Sequence, residues 1–143
     1  MITENQVVEY VCTYLKKNNF SIMQSANVGQ KGIDIIAKTD GFKIFIEAKG
    51  ETSSVPKSKR FGKPFTSNQV FDVISKVIFQ ALDIKNHHLW EDQSITAIAI
   101  PDTKIFRTWH SKVAESLCKL QLVTLWVLED GTVSINEDDH NYA

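Results

Sequence analysis

The stretch GIDIIAKTDGFKIFIEAK, residues 32–49, decides how the rest of the chain is read. At its centre, Thr39-Asp40-Gly41 is a tight-turn signal, because Asp-Gly readily takes positive φ. The flanking runs, 33–38 and 42–49, are rich in β-branched and aromatic residues and are expected to pair as an antiparallel hairpin. Side chains alternate across a strand. Ile44, Ile46 and Ala48 therefore share an apolar face, and Lys43, Phe45, Glu47 and Lys49 share the other. Pairing about Asp40-Gly41 brings the far ends of the two strands together. Asp34 and Glu47 become near neighbours, with Lys49 just beyond.

Two carboxylates a few ångströms apart repel each other unless a cation lies between them. Carboxylate oxygens, a backbone carbonyl and waters are the donors that Mg²⁺ prefers. An adjacent lysine orients or deprotonates a water, or neutralises charge developing on a phosphate. Metal-activated water attacking a phosphodiester is the reaction this set of groups serves best. An ordinary ion-paired surface patch is the competing reading, since E-x-K on its own is a common triplet.

Outward from the hairpin, apolar spacing marks a helix over residues 4–17, with Thr3 to cap it and Val7, Val8, Val11, Tyr14 and Leu15 on one face. Residues 20–26 read as a strand and 27–32 as a turn with two glycines. Residues 50–65 read as a long polar, basic loop containing Pro56 and Pro64, of the kind that is usually functional or mobile. A helix follows over 69–86, with Ser67 or Asn68 as its cap. The run ITAIAI, residues 95–100, has the continuous apolar character of a strand covered on both faces. A helix over 103–120, inner face Phe106, Trp109, Val113, Leu117 and Leu120, leads to a strand at 122–128. Asp130-Gly131 turns the chain into a short strand at 132–135, and the remaining tail is polar. Strands followed by helix–strand units indicate a mixed sheet flanked by helices.

With 143 residues, of which 43 % are apolar, the chain is expected to form one domain, 1–143. No apolar run is long enough to span a bilayer and no signal peptide is visible, so the expected location is the cytoplasm, with no membrane partner. Cys12 and Cys118 are the only cysteines; they lack metal-ligand spacing and read as reduced, buried thiols. Net charge is −1. Five acids and no Lys or Arg lie between residues 129 and 140, so the rest of the chain is net positive. Lys57, Lys59, Arg60 and Lys63 cluster in the loop after Lys49, where they could meet an anionic partner such as nucleic acid, with Phe61 or Phe65 to stack on a base. A solvated charged loop explains them equally well. His87-His88 close a helix, where the dipole favours a cation. His110 has no partner visible in the sequence, and Trp90, Trp109 and Trp126 read as core or rim residues.

The segment from Gly32 to Lys49 resembles the G-x-D…E-x-K signature of the PD-(D/E)XK, restriction-endonuclease-like nucleases, and the order of elements resembles that family's αβββαβαβ core. The resemblance implies an α/β fold with a mixed central sheet and a Mg²⁺- (or Mn²⁺-) dependent endonuclease acting on DNA. Asp34 and Glu47 would be metal ligands, the backbone carbonyl of Ala48 a further one, and Lys49 the catalytic lysine. Many small members carry a first-helix glutamate that completes the metal site; Glu9 is the first candidate here and Glu4 the second. Many also carry a glutamine on the helix after the E-x-K strand, for which Gln80 stands in place. In the Q-x-x-x-Y pattern of exonuclease-like members, however, Ile84 occupies the tyrosine position. The resemblance leaves open a homodimer at one duplex site, a single chain acting on a strand or junction, and a partner subunit that selects the substrate. The alternatives are a catalytically inactive nuclease-fold nucleic-acid-binding protein, or a regulatory subunit of a mobile-element or defence system.

Overall fold

A computed structural model describes residues 1–25, 32–52, 62–88 and 93–135. Its centre is one six-stranded sheet whose strands stand side by side in chain order. Strands β1 (Ser21–Ser25), β2 (Ile35–Thr39) and β3 (Phe42–Ala48) form an antiparallel meander. Strands β4 (Ser94–Pro101) and β5 (Leu122–Val127) continue it parallel to β3, and β6 (Val133–Ile135) turns back antiparallel.

Helix α1 (Glu4–Lys17) covers one face. Its Val7, Val8, Val11 and Leu15 pack on Ile35, Ala37, Ile44, Ile46 and Ala48 of the hairpin and on Ala97, Ala99, Leu125 and Val127. Helices α2 (Ser67–His87), α3 (Lys104–Ser111) and α4 (Ala114–Lys119) lie on the opposite face. There Val70, Ile74, Val77 and Ala81 meet Ile98, Ile100, Phe106, Leu117, Leu122 and Trp126. β4 is buried from Thr96 to Pro101, as expected of a strand with helices on both sides. Among the described residues no helix is long and apolar enough to cross a membrane.

The hairpin turns at Asp40-Gly41, with Thr39 opposite Phe42 and Gly41 at φ 100°. Its first strand begins two residues later than expected, at Ile35, and Asp34 lies just outside the ladder. Four further expectations are corrected. The cap of α2 is Thr66, one residue before Ser67, because Thr66 forms a reciprocal capping box with Gln69. The helix expected over 103–120 is broken into α3 and α4 at Lys112-Val113, where Val113 leaves helical geometry (φ −128°, ψ 2°). The break shifts the inward stripe: His110, Ala114 and Leu117 are buried, whereas Val113 and Leu120 are exposed. It also turns Cys118 to the surface, while Cys12 is half-buried.

Candidate functional site

The register of β2 against β3 places Ile35 opposite Ile46, and one further step sets Asp34 opposite Glu47. Asp34 is held there by its own side chain: the Ala48 N–H donates to its Oδ2 at 2.8 Å. A strand residue sends its N–H and C=O to the same edge, so the Ala48 carbonyl faces the side on which Asp34 lies. Glu47 is 8 % exposed. Burial pushes its carboxyl up, a hydrogen bond to Asp34 and the Asp34 charge push it further, and Lys49 opposes them; the result is about 9. The Glu47 carboxyl is thus disposed to keep its proton beside Asp34 near neutral pH.

Lys49 extends past the end of β3, and its Nζ lies 3.5 Å from Oε1 of Glu4 in the first turn of α1. Both side chains are about three-quarters buried. Burial raises the Glu4 carboxyl above its ordinary value, with Lys49 opposing and Asp34 adding to the rise. The electrostatic cluster is thus Glu4, Asp34, Glu47 and Lys49.

The arrival of α1 at this place has a local cause. The chain end runs beside the segment leaving β3: Glu51 N–H donates to the Ile2 carbonyl at 2.9 Å, Ile2 N–H donates to the Glu51 carboxylate at 2.9 Å, and Thr3 bridges Thr52. Gly50 permits the approach. A Cβ there would sit 2.4 Å from Glu4 N and 2.6 Å from the Thr3 carbonyl carbon.

Of the two first-helix acids expected in the sequence, Glu4 reaches the cluster. Glu9 is exposed, about 7.5 Å farther along the helix and about 140° round it. Gln80 is exposed on α2, and among the described residues no hydrogen bond joins it to the cluster. Lys57, Lys59 and Arg60, like Phe61 and Trp90, lie outside the described residues. Lys63 is exposed, two residues before Phe65, whose N–H donates to the Glu51 carbonyl at 3.1 Å. Both flanks of the basic loop are therefore anchored beside the cluster. His87 lies 3.4 Å from Asp83 one turn back, and His88 stacks on Phe45, 4.3 Å between ring centres. His110 is buried with Nε2 2.9 Å from the Thr124 hydroxyl.

Among the described residues no three side chains of His, Cys, Asp and Glu form a cage for a metal on their own. The donor set nevertheless fits Mg²⁺ or Mn²⁺, hard cations that are satisfied by one or two carboxylates with waters and a carbonyl. Two acids so crowded that one stays protonated near neutrality carry the charge excess that a divalent cation relieves.

No family model matches the chain and no curated protein matches its sequence. Two solved structures share its fold. An XisH family protein from Nostoc punctiforme superposes with a TM-score of 0.58 at 16 % identity, over 92 % of this chain and 95 % of that one. An fdxN element excision controlling factor protein from Anabaena variabilis gives 0.59 at 19 %, over 91 % and 96 %. At these identities the likeness concerns the fold alone, a mixed six-stranded sheet flanked by helices on both faces.

Proposed function

We propose that the chain is a metal-dependent nuclease that hydrolyses phosphodiester bonds of DNA. The observation that carries this reading is the register that sets Asp34 opposite the buried Glu47 at a strand end, with Lys49 just beyond. Asp34, Glu47 and the Ala48 carbonyl would hold Mg²⁺ or Mn²⁺, which supplies Lewis-acid activation of water and of the phosphoryl group. Glu47 gives up its proton when the site is charged with a cation. Asp34 keeps its second oxygen on the Ala48 amide and so fixes the direction of the first. Lys49, held by Glu4, orients the attacking water and neutralises the charge that builds on the phosphate. Lys63, and with it Lys57, Lys59 and Arg60, would bind phosphates along the strand. One of the two similar structures is described as an element excision controlling factor, so DNA at the ends of such an element is the substrate we would try first.

The test is cleavage of single-stranded, duplex and branched DNA with Mn²⁺ by the wild type, Asp34→Asn and Lys49→Met. Asn at position 34 can still accept from the Ala48 amide, so a folded, inactive variant separates chemistry from structure. We expect each variant to lose about 10²–10⁴ in rate. Equal cleavage by wild type and variants would mean a contaminating enzyme and would remove the proposal.

A further inference from the structure

The outward face of α2 carries aromatic side chains where an amphipathic helix is ordinarily polar. Phe79 is 73 % exposed and Phe71 48 %. They stand four residues to either side of Ser75, so the three form one ridge along the helix, about 12 Å long. Phe71 is held in place: its ring lies 5.0 Å from that of Trp109, whose Nε1–H donates to the Ser67 hydroxyl at 3.2 Å. Half-buried Ile78 and Leu82 border the ridge on one flank. Asp72 and Lys76, both exposed, border it on the other, and among the described residues no ion pair engages either.

This ridge is symmetric about Ser75. Turned end for end, it sets Phe79 where Phe71 stood and Phe71 where Phe79 stood. A twofold contact has that requirement: the same patch on both copies, with residue i meeting j and j meeting i. Phe71 of each copy then meets Phe79 of the other, an aromatic pair at each end of the contact. The small Ser75 at the crossing lets the two helix axes approach to the roughly 8–10 Å of ridges packed into grooves. An antiparallel crossing also sets like flanks together. Asp72 lies within about 3 Å, along the axis, of Lys76 of the other copy. The exchange gives two reciprocal ion pairs, so the face complements itself in charge as well as in shape. A foreign helix has no use for such symmetry.

We propose that α2 is a homodimer interface, with two copies crossing antiparallel at Ser75. The interface goes beyond the nuclease reading and does not rest on it. α2 starts beside the acid cluster, where the Phe65 N–H donates to the Glu51 carbonyl. The antiparallel crossing therefore carries the two clusters to opposite ends of the pair, and they address separate stretches of any long substrate. The contact is small, which sets the association as reversible, with Kd on the order of 10 µM.

The experiment is sedimentation velocity of the full chain from about 1 to about 100 µM, without metal or DNA. A dimer should form as concentration rises, and Phe79→Asp, at an exposed position, should stay monomeric with its circular dichroism unchanged. Asp72→Lys and Lys76→Asp should each weaken the dimer by about 3- to 10-fold, because each sets like charges together across the crossing. The two combined should restore the wild-type affinity. In a Cys118→Ser background, Ser75→Cys should cross-link to a dimer under copper–phenanthroline, since that position sits on the axis, and Lys119→Cys should not. A chain that is monomeric throughout overturns the interface and leaves the nuclease reading standing. A dimer that survives Phe79→Asp, or charge reversals that the double variant does not rescue, or a Ser75→Cys chain that does not cross-link, places the contact elsewhere and overturns it too. An inactive chain that dimerises as described removes the nuclease reading and keeps the interface.

Discussion

Glu47 carries the largest consequences of any residue here, because its carboxyl titrates near 9 instead of near 4.5. A protonated side chain held by the fold binds its proton more tightly folded than unfolded. Its contribution to stability is whole below pH 4.5 and is lost progressively as pH rises toward 9. The metal-free protein should therefore weaken over that window, whereas Glu47→Gln, which keeps a neutral hydrogen-bonding group, should flatten the profile; urea unfolding at a series of pH values measures both. Metal loading near pH 7 should release about one proton, read by calorimetry in buffers of different ionisation enthalpy. The sequence displays the acid pair and the lysine because alternation and one Asp-Gly turn suffice to place them. It leaves Glu4 second to Glu9, since an acid in the first turn of a helix is already expected from the helix dipole and needs no partner to explain it. Gln80 looks suitable by position along α2, yet position along a helix does not say what its side chain meets.

At the scale of elements, the joint between the start of α1 and the exit of β3 positions the lysine. Gly50→Ala should push the first turn of α1 away, because the added carbon meets backbone rather than a movable side-chain end. A drop in nuclease rate, accompanied by a lower Tm, is the expected result, and an unchanged rate would show that Glu4 does not position Lys49. Caps make a milder test. Thr66→Ala removes the side-chain acceptor from Gln69 N–H and should cost α2 about 1 kcal/mol in chemical denaturation. Helices α1 and α2 are legible because three- and four-residue apolar spacing marks one buried face, although the cap of α2 falls earlier than the sequence suggests. The break between α3 and α4 is not, because apolar spacing runs on through Lys112-Val113 while packing against β5 needs Ala114 and Leu117 inward.

For the molecule as a whole, β4 is the keel. Ile98 is fully buried between β3 and β5, facing the α2 side. Ile98→Ala should cost about 2–5 kcal/mol, seen as a lower urea midpoint with an unchanged slope. The class of fold can be read in advance because ITAIAI has no polar face and so demands cover on both sides. The pairing of β3 with β4 is harder to foresee, since a long connection separates them and nothing in either strand names its neighbour.

Glu47 lies on β3 and Asp34 just before β2, two strands joined by a two-residue turn, and Asp34 meets the Ala48 amide across only 14 positions of chain. Contacts that close so short a loop form in microseconds, well before distant strands find one another. Nascent chains should accordingly bring Asp34 and Glu47 face to face before β5 arrives. Substitutions in this hairpin would then slow refolding, and those in β5 would mainly hasten unfolding.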